Sequence, residues 1–165
     1  MRTNLLKLVF FCFAIFTYSA CKKSSTDNPT PKTKTEYLTS GSSKTWKISS
    51  AKFKNADNIE GDLLVLQPDC ITDNVIIFKS TKAYEIQEGK TKCNATDPTI
   101  MLTSTWSFAN SETTLVLDKF SILGRSIDKP EFKITTLDDK VFEGTTIIVV
   151  SGITYTLTLK LEPAA

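Results

Sequence analysis

Cysteine carries most of the reactive chemistry in this chain. There are four, Cys12, Cys21, Cys70 and Cys93, and histidine is absent. Without histidine there is no Ser-His-Asp or Cys-His nucleophilic site, and the commonest zinc sites are excluded. Carboxylates are the remaining acid–base groups. Glu85 and Glu88 share one strand region, where a period of two places them on opposite faces. No other carboxylate pair suggests an acid–base couple, so no catalytic residue, metal site or cofactor is assigned and no enzyme is expected. The stretches Asp69-Cys70-Ile71-Thr72-Asp73 and Asn94-Ala95-Thr96-Asp97 meet if Cys70 and Cys93 bridge. Their oxygens suit a hard cation such as calcium. Neither has the spacing of a calcium loop, so a solvated polar turn beside a disulfide is the preferred reading.

The fate of the cysteines depends on the leader. Arg2 and Lys7 precede the unbroken apolar run from Leu8 to Phe16. That run is shorter than the ~20 apolar residues that cross a bilayer and suits a secretory signal core. Ser19-Ala20-Cys21 resembles a bacterial lipobox, with Tyr18 where the pattern prefers leucine. The resemblance implies that residues 1–20 are a lipoprotein signal peptide, cut before Cys21, whose thiol and new N-terminus are then acylated. The other reading is an ordinary secreted protein with Cys21 free or paired. On the first reading Cys12 leaves with the leader. Cys70 and Cys93 then remain as an even pair in a compartment where disulfides persist. Bridged, they close a loop worth roughly 3 kcal/mol on the chain-entropy view; the rival is two free thiols.

Of the 20 basic residues, Arg2 and Lys7 belong to the leader, and the eighteen that follow balance the 18 acidic ones. A neutral chain lacks the clustered basic face that nucleic acid requires. Arg125 is the one arginine after the leader, which argues against bidentate phosphate or base recognition. Residues 21–35 contain no aliphatic or large aromatic side chain and read as a disordered tether after the lipidated Cys21. Lys22-Lys23 adds little attraction to anionic headgroups, and Asn94-Ala95-Thr96 is a chance match to a glycosylation sequon. No acidic cluster follows Cys21, which favours the outer membrane facing the periplasm.

From residue 36 to 165 the text is that of strands. Ile153, Tyr155, Leu157, Leu159 and Leu161 alternate with Thr154, Thr156, Thr158, Lys160 and Glu162. Further strands are expected near 44–53, 74–79, 82–88, 101–109, 113–120, 131–137 and 141–150. Tyr37-Leu38 suits a short helix or turn, Asn110-Ser111-Glu112 a hairpin loop, and Ser151-Gly152 a two-residue turn. The irregular stretch 55–73, with its apolar Leu63-Leu64-Val65-Leu66, reads as a long connection. About eight antiparallel strands, each with one apolar face, must curl until their edges are covered. The expectation is an all-β, up-and-down barrel, with a two-sheet sandwich as the alternative.

The order of motifs carries a resemblance. Behind the lipobox and tether come Lys44-Thr45-Trp46-Lys47-Ile48, then Cys70 to Phe78, Tyr84, Gly89 with Cys93, and Thr105-Trp106-Ser107-Phe108 leading into Thr114-Leu115-Val116-Leu117. From about residue 44 to 160 the chain resembles the lipocalin-like domain of small lipoproteins of the Bacteroidetes group. The resemblance implies an eight-stranded antiparallel barrel with a tryptophan on its first strand. It also implies that Cys70 and Cys93 flank the hairpin 74–88 and pair across it. Two positions depart from better-studied lipocalins. Lys44 stands where they place a glycine two residues before the tryptophan. The nearest late cation, in place of their arginine over the tryptophan, is Lys160.

If alternation is read consistently, Trp46, Phe78, Tyr84, Trp106, Phe108 and Tyr155 face inward with the aliphatic residues beside them. They either line a pocket or fill a core; a barrel of this size allows both. The functional expectation is an envelope-anchored protein, held to the membrane by its N-terminal lipid, that binds or carries a small apolar or amphipathic ligand. The alternative is a non-enzymatic accessory protein that binds another envelope protein.

Overall fold

Threonine, isoleucine and aromatic residues at period two build the walls of this protein. The computed structural model describes residues 30–65, 67–122 and 124–164. The expected signal peptide, Cys21 and the expected tether as far as residue 29 lie outside them. From Lys32 the chain forms one compact unit. Its elements are α1 (Lys34–Thr39), β1 (Ser43–Asn55), β2 (Glu60–Asp62), α2 (Asp69–Thr72), β3 (Val75–Lys79), β4 (Ala83–Gln87), β5 (Ile100–Ala109), β6 (Thr114–Leu117), β7 (Lys119–Ile122), β8 (Arg125–Asp128), β9 (Glu131–Leu137), β10 (Phe142–Val150) and β11 (Ile153–Pro163).

Eight strands, β1, β3, β4, β5, β6, β9, β10 and β11, pair in sequence order, and β11 returns to β1 to close an antiparallel up-and-down barrel. This is the barrel of the sequence analysis; the closing β1–β11 ladder, from Trp46↔Pro163 to Asn55↔Tyr155, excludes the open sandwich. Two elements lie outside the ring. The short β2 pairs with β1 at Lys52 to Lys54. The hairpin β7–β8 occupies the passage from β6 to β9 and pairs only with itself.

The single strand expected over 113–120 is therefore two. β6 ends at Leu117, Asp118 follows, and β7 leaves in a new sheet. The N-terminal boundary also moves. Thr33 caps α1 in a reciprocal box: Glu36 N donates to Thr33 Oγ1 at 3.2 Å, and Thr33 N donates to Glu36 Oε2 at 2.7 Å. Order thus begins ahead of residue 36.

Strand direction gives the barrel two distinct ends. At one end lie α1 and the turns 80–82, 110–113 and 138–140. At the other lie the connection 55–74, the loop 88–99, the hairpin β7–β8 and the turn Ser151-Gly152. Ser151 and Gly152 both adopt positive φ, as a two-residue hairpin turn of primed type requires. The buried core runs through the barrel from Leu38 and Trp46 to Phe120, Phe132, Phe142 and Leu157. Gly144 admits two of those rings: a Cβ there would stand 3.1 Å from Phe142 Cζ and 3.2 Å from Phe132 Cβ.

Candidate functional site

At the α1 end the barrel is solid. Trp46 is fully buried, and its Nε1 donates to the Leu38 carbonyl at 2.9 Å. Phe78 stacks on Tyr84 with centroids 5.5 Å apart and meets the edge of Trp106 at 6.1 Å. Trp106 packs in turn against Phe108 at 5.4 Å and donates through Nε1 to the Lys79 carbonyl. The Tyr84 hydroxyl is buried without a hydrogen-bond partner among the described residues. Burial pushes its pKa well above the ordinary value; Ser104, directly across the ladder, pulls weakly the other way without reaching hydrogen-bonding geometry.

The opposite end is open, for a reason visible in the register. β9 pairs with β10 only as far as Lys133↔Thr145. β10 and β11 continue together to Val150↔Ile153. From Thr146 to Val150 the β10 edge therefore has no ladder on its β9 side. The hairpin β7–β8 lies near this gap without pairing to it. Between the two strand edges is a cleft of about 500 Å³, within the range of small-molecule sites. Phe53, Leu63, Ile122, Ile127, Ile148 and Tyr155 line it together with Arg125, Ser126 and Asp128.

Sequence alternation accounts for Tyr155 in this lining and misses the rest. A bulge between Ile48 and Ser50 changes the phase of β1, so that Ala51 and Phe53 turn inward where strict alternation from Trp46 sends them out. Phe53 then meets Tyr155 edge-on at 5.6 Å and lies across Gly61, where a Cβ would stand 2.9 Å from the ring. Ile122 and Ile127 belong to the unforeseen hairpin; the signal was Gly124, whose positive φ turns it. Trp46, Phe78, Tyr84 and Trp106, for which pocket lining and filled core were both open, are core side chains, Phe108 packs against them, and none of the five lines the cleft.

The cleft end is also the apolar end outside. Among the described residues the most exposed large hydrophobics are Ile59, Val65, Ile100, Met101, Ile147, Val149 and Ile153. Each lies on a connection at this end or on the last few strand residues that lead into one. An outer groove is lined by Lys52, Phe53, Lys54, Glu60, Asp62 and the threonines Thr154, Thr156 and Thr158.

Cys70 on α2 and Cys93 in the loop 88–99 are joined as a disulfide with Cα atoms 5.2 Å apart. The bridge fastens the two connections that flank the hairpin β3–β4. The acidic stretches beside it serve as local braces. Asp73 Oδ2 accepts from Thr91 N and Oγ1, both at 2.8 Å, and Asp97 Oδ2 accepts from Asn94 N at 2.9 Å. Among the described residues no three acidic or cysteine side chains group as metal ligands. The chain matches no family model and no curated protein.

Proposed function

We propose that this chain is a lipid-anchored protein of the bacterial envelope whose lipocalin-like barrel binds or carries a small apolar or amphipathic molecule. The anchor rests on the lipobox at Cys21. The observation that carries the binding reading is the cleft of about 500 Å³ at the end of the barrel remote from α1. Its lining is mainly apolar, Leu63, Ile127 and Ile148 in it pack against the core, and it lies beside a gap between unpaired strand edges. Among the described residues the chain enters the barrel at the α1 end, opposite the mouth.

A second reading has its own support. The apolar residues exposed around the mouth, Ile147 and Val149 above all, suit contact with another envelope protein. Native mass spectrometry of the exported full-length chain, followed by organic extraction, separates the two. A reproducible co-purifying apolar molecule supports the carrier reading. A clean apo mass from folded, disulfide-bonded protein rejects it in favour of the accessory role.

A further inference from the structure

We infer that Arg125 reads the head group of the bound molecule, and that the ligand is a single-chain amphiphile with an anionic head. The inference rests on the binding reading above and adds the ligand's chemical class. In the hairpin β7–β8, Phe120 stands opposite Ile127 and Ile122 opposite Arg125. Phe120 and Ile122 are buried, and Ile127 packs against the core. A period of two puts Arg125 on the same face as Ile127. Arg125 is thus the exposed last residue of an otherwise apolar hairpin face, and it lines the cleft.

Among the described residues Arg125 makes no salt bridge, and no hydrogen bond of its side chain occurs. The carboxylate on its own strand, Asp128, also lines the cleft but stands across from Lys119 in the ladder and makes no ion pair with Arg125. An unpaired arginine fork above a greasy slot matches one kind of molecule. Its chain fills the apolar volume between Phe53, Ile127, Ile148 and Tyr155, and its oxyanion takes the fork in bidentate fashion. One arginine is too few for a polyanion and sufficient for one head group. The exposed guanidinium stays hydrated until that head arrives, so its contribution is to selectivity more than to total affinity.

The test uses the full-length chain and two probes of equal length, dodecanoate and 1-dodecanol, each displacing a neutral fluorescent naphthylamine. At about pH 8 the carboxylate is ionised, and dodecanoate should bind about tenfold tighter than the alcohol. Arg125→Met, which keeps an apolar stem, should abolish that preference, with dodecanoate losing about tenfold more affinity than dodecanol. Arg125→Lys, which keeps the charge and loses the fork, should retain part of it. Equal binding of both probes by the wild type, or a preference that survives Arg125→Met, overturns the head-group assignment while the carrier reading stands. Failure of both probes to bind overturns the two together.

Discussion

The Lys44 ammonium sits 3.9 Å above the Trp46 ring, two residues further along the same face of β1. The cation over the tryptophan is therefore Lys44 and not the late Lys160. Lys160 instead pairs with Glu162 at 2.9 Å. The Lys44 ammonium also donates to the carbonyls of Tyr37 at 3.1 Å and Asp139 at 2.9 Å. One side chain thus ties α1 and the turn 138–140 to the first strand. Burial lowers the Lys44 pKa, and Asp139 opposes that shift. Lys44→Met should cost about 1–2 kcal/mol in urea unfolding, because a cation–π contact and two charge-assisted hydrogen bonds go while the aliphatic stem stays. An unchanged midpoint would show that water replaces all three at no cost.

Acid should loosen the same end first. The Glu36 carboxylate is held below its ordinary 4.5 by the hydrogen bonds from Thr33. Asp138 is held below 3.8 by the backbone N–H groups of Lys140 and Val141. A depressed carboxylate contributes stability above its unfolded pKa, and that contribution is lost as pH falls toward the folded value. Stability should therefore decline from about pH 4.5 downward. Glu36→Gln and Asp138→Asn should each flatten that decline. Both groups are exposed, so the test is the slope of chemical-denaturation midpoints between neutral and acid pH; slopes equal to wild type would reject the assignment.

Alkali tests the opposite sign inside the core. The Tyr84 pKa is raised above its ordinary 10.0, chiefly by burial. Stability is then fully present below pH 10 and falls as pH rises above it, because only the unfolded chain ionises. Tyr84→Phe should remove that part of the fall. At neutral pH it should be neutral or stabilising by up to about 1 kcal/mol, since it deletes a desolvated hydroxyl and keeps the stack on Phe78. A loss of more than about 2 kcal/mol would reveal a hydrogen bond that holds the hydroxyl in solution.

The disulfide and Gly89 guard one corner. Reduction of Cys70–Cys93 should cost about 3 kcal/mol, read as a shift in the thermal midpoint with and without reductant. Gly89 approaches the end of α2 so closely that a Cβ would overlap the Asp73 carbonyl oxygen. Its amide also donates to Asn74 Oδ1 at 3.1 Å. Gly89→Ala should destabilise by about 1–3 kcal/mol, as overpacking does. If it is silent in oxidised protein, the loop 88–99 moves away from α2 without penalty.

The walls of the barrel were legible in the sequence because each has one dry face and one wet face. β11 is the clearest case: Leu157, Leu159 and Leu161 are buried at the spacing that alternation demands. The cleft was less legible, for two physical reasons. The bulge at Ser49 reverses the phase of β1, and alternation carries no mark of where a phase will break. The length of a ladder depends on its partner, so nothing in β10 itself states that β9 stops pairing at Thr145. Both features act together to turn Phe53 inward and to leave the gap beside Ile148. The inward aromatic residues Trp46, Phe78, Tyr84 and Trp106 are strongly patterned and fill the core, and strong patterning is the mark of close packing.

That division predicts how substitutions will sort. Ile127→Trp and Ile148→Trp place bulk in the cleft, where there is room, and should leave the thermal midpoint within about 2 °C of wild type. Dodecanol binding should fall at least about tenfold in the double variant. Phe132→Leu, in the closed core, where the ring meets Phe120 at 5.7 Å and Phe142 at 6.4 Å, should do the reverse. It should cost about 1–3 kcal/mol of stability and leave dodecanol affinity unchanged. Affinity tracking the core substitution, with the cleft substitutions silent, would move the binding site into the barrel interior and away from the gap between β8 and β10.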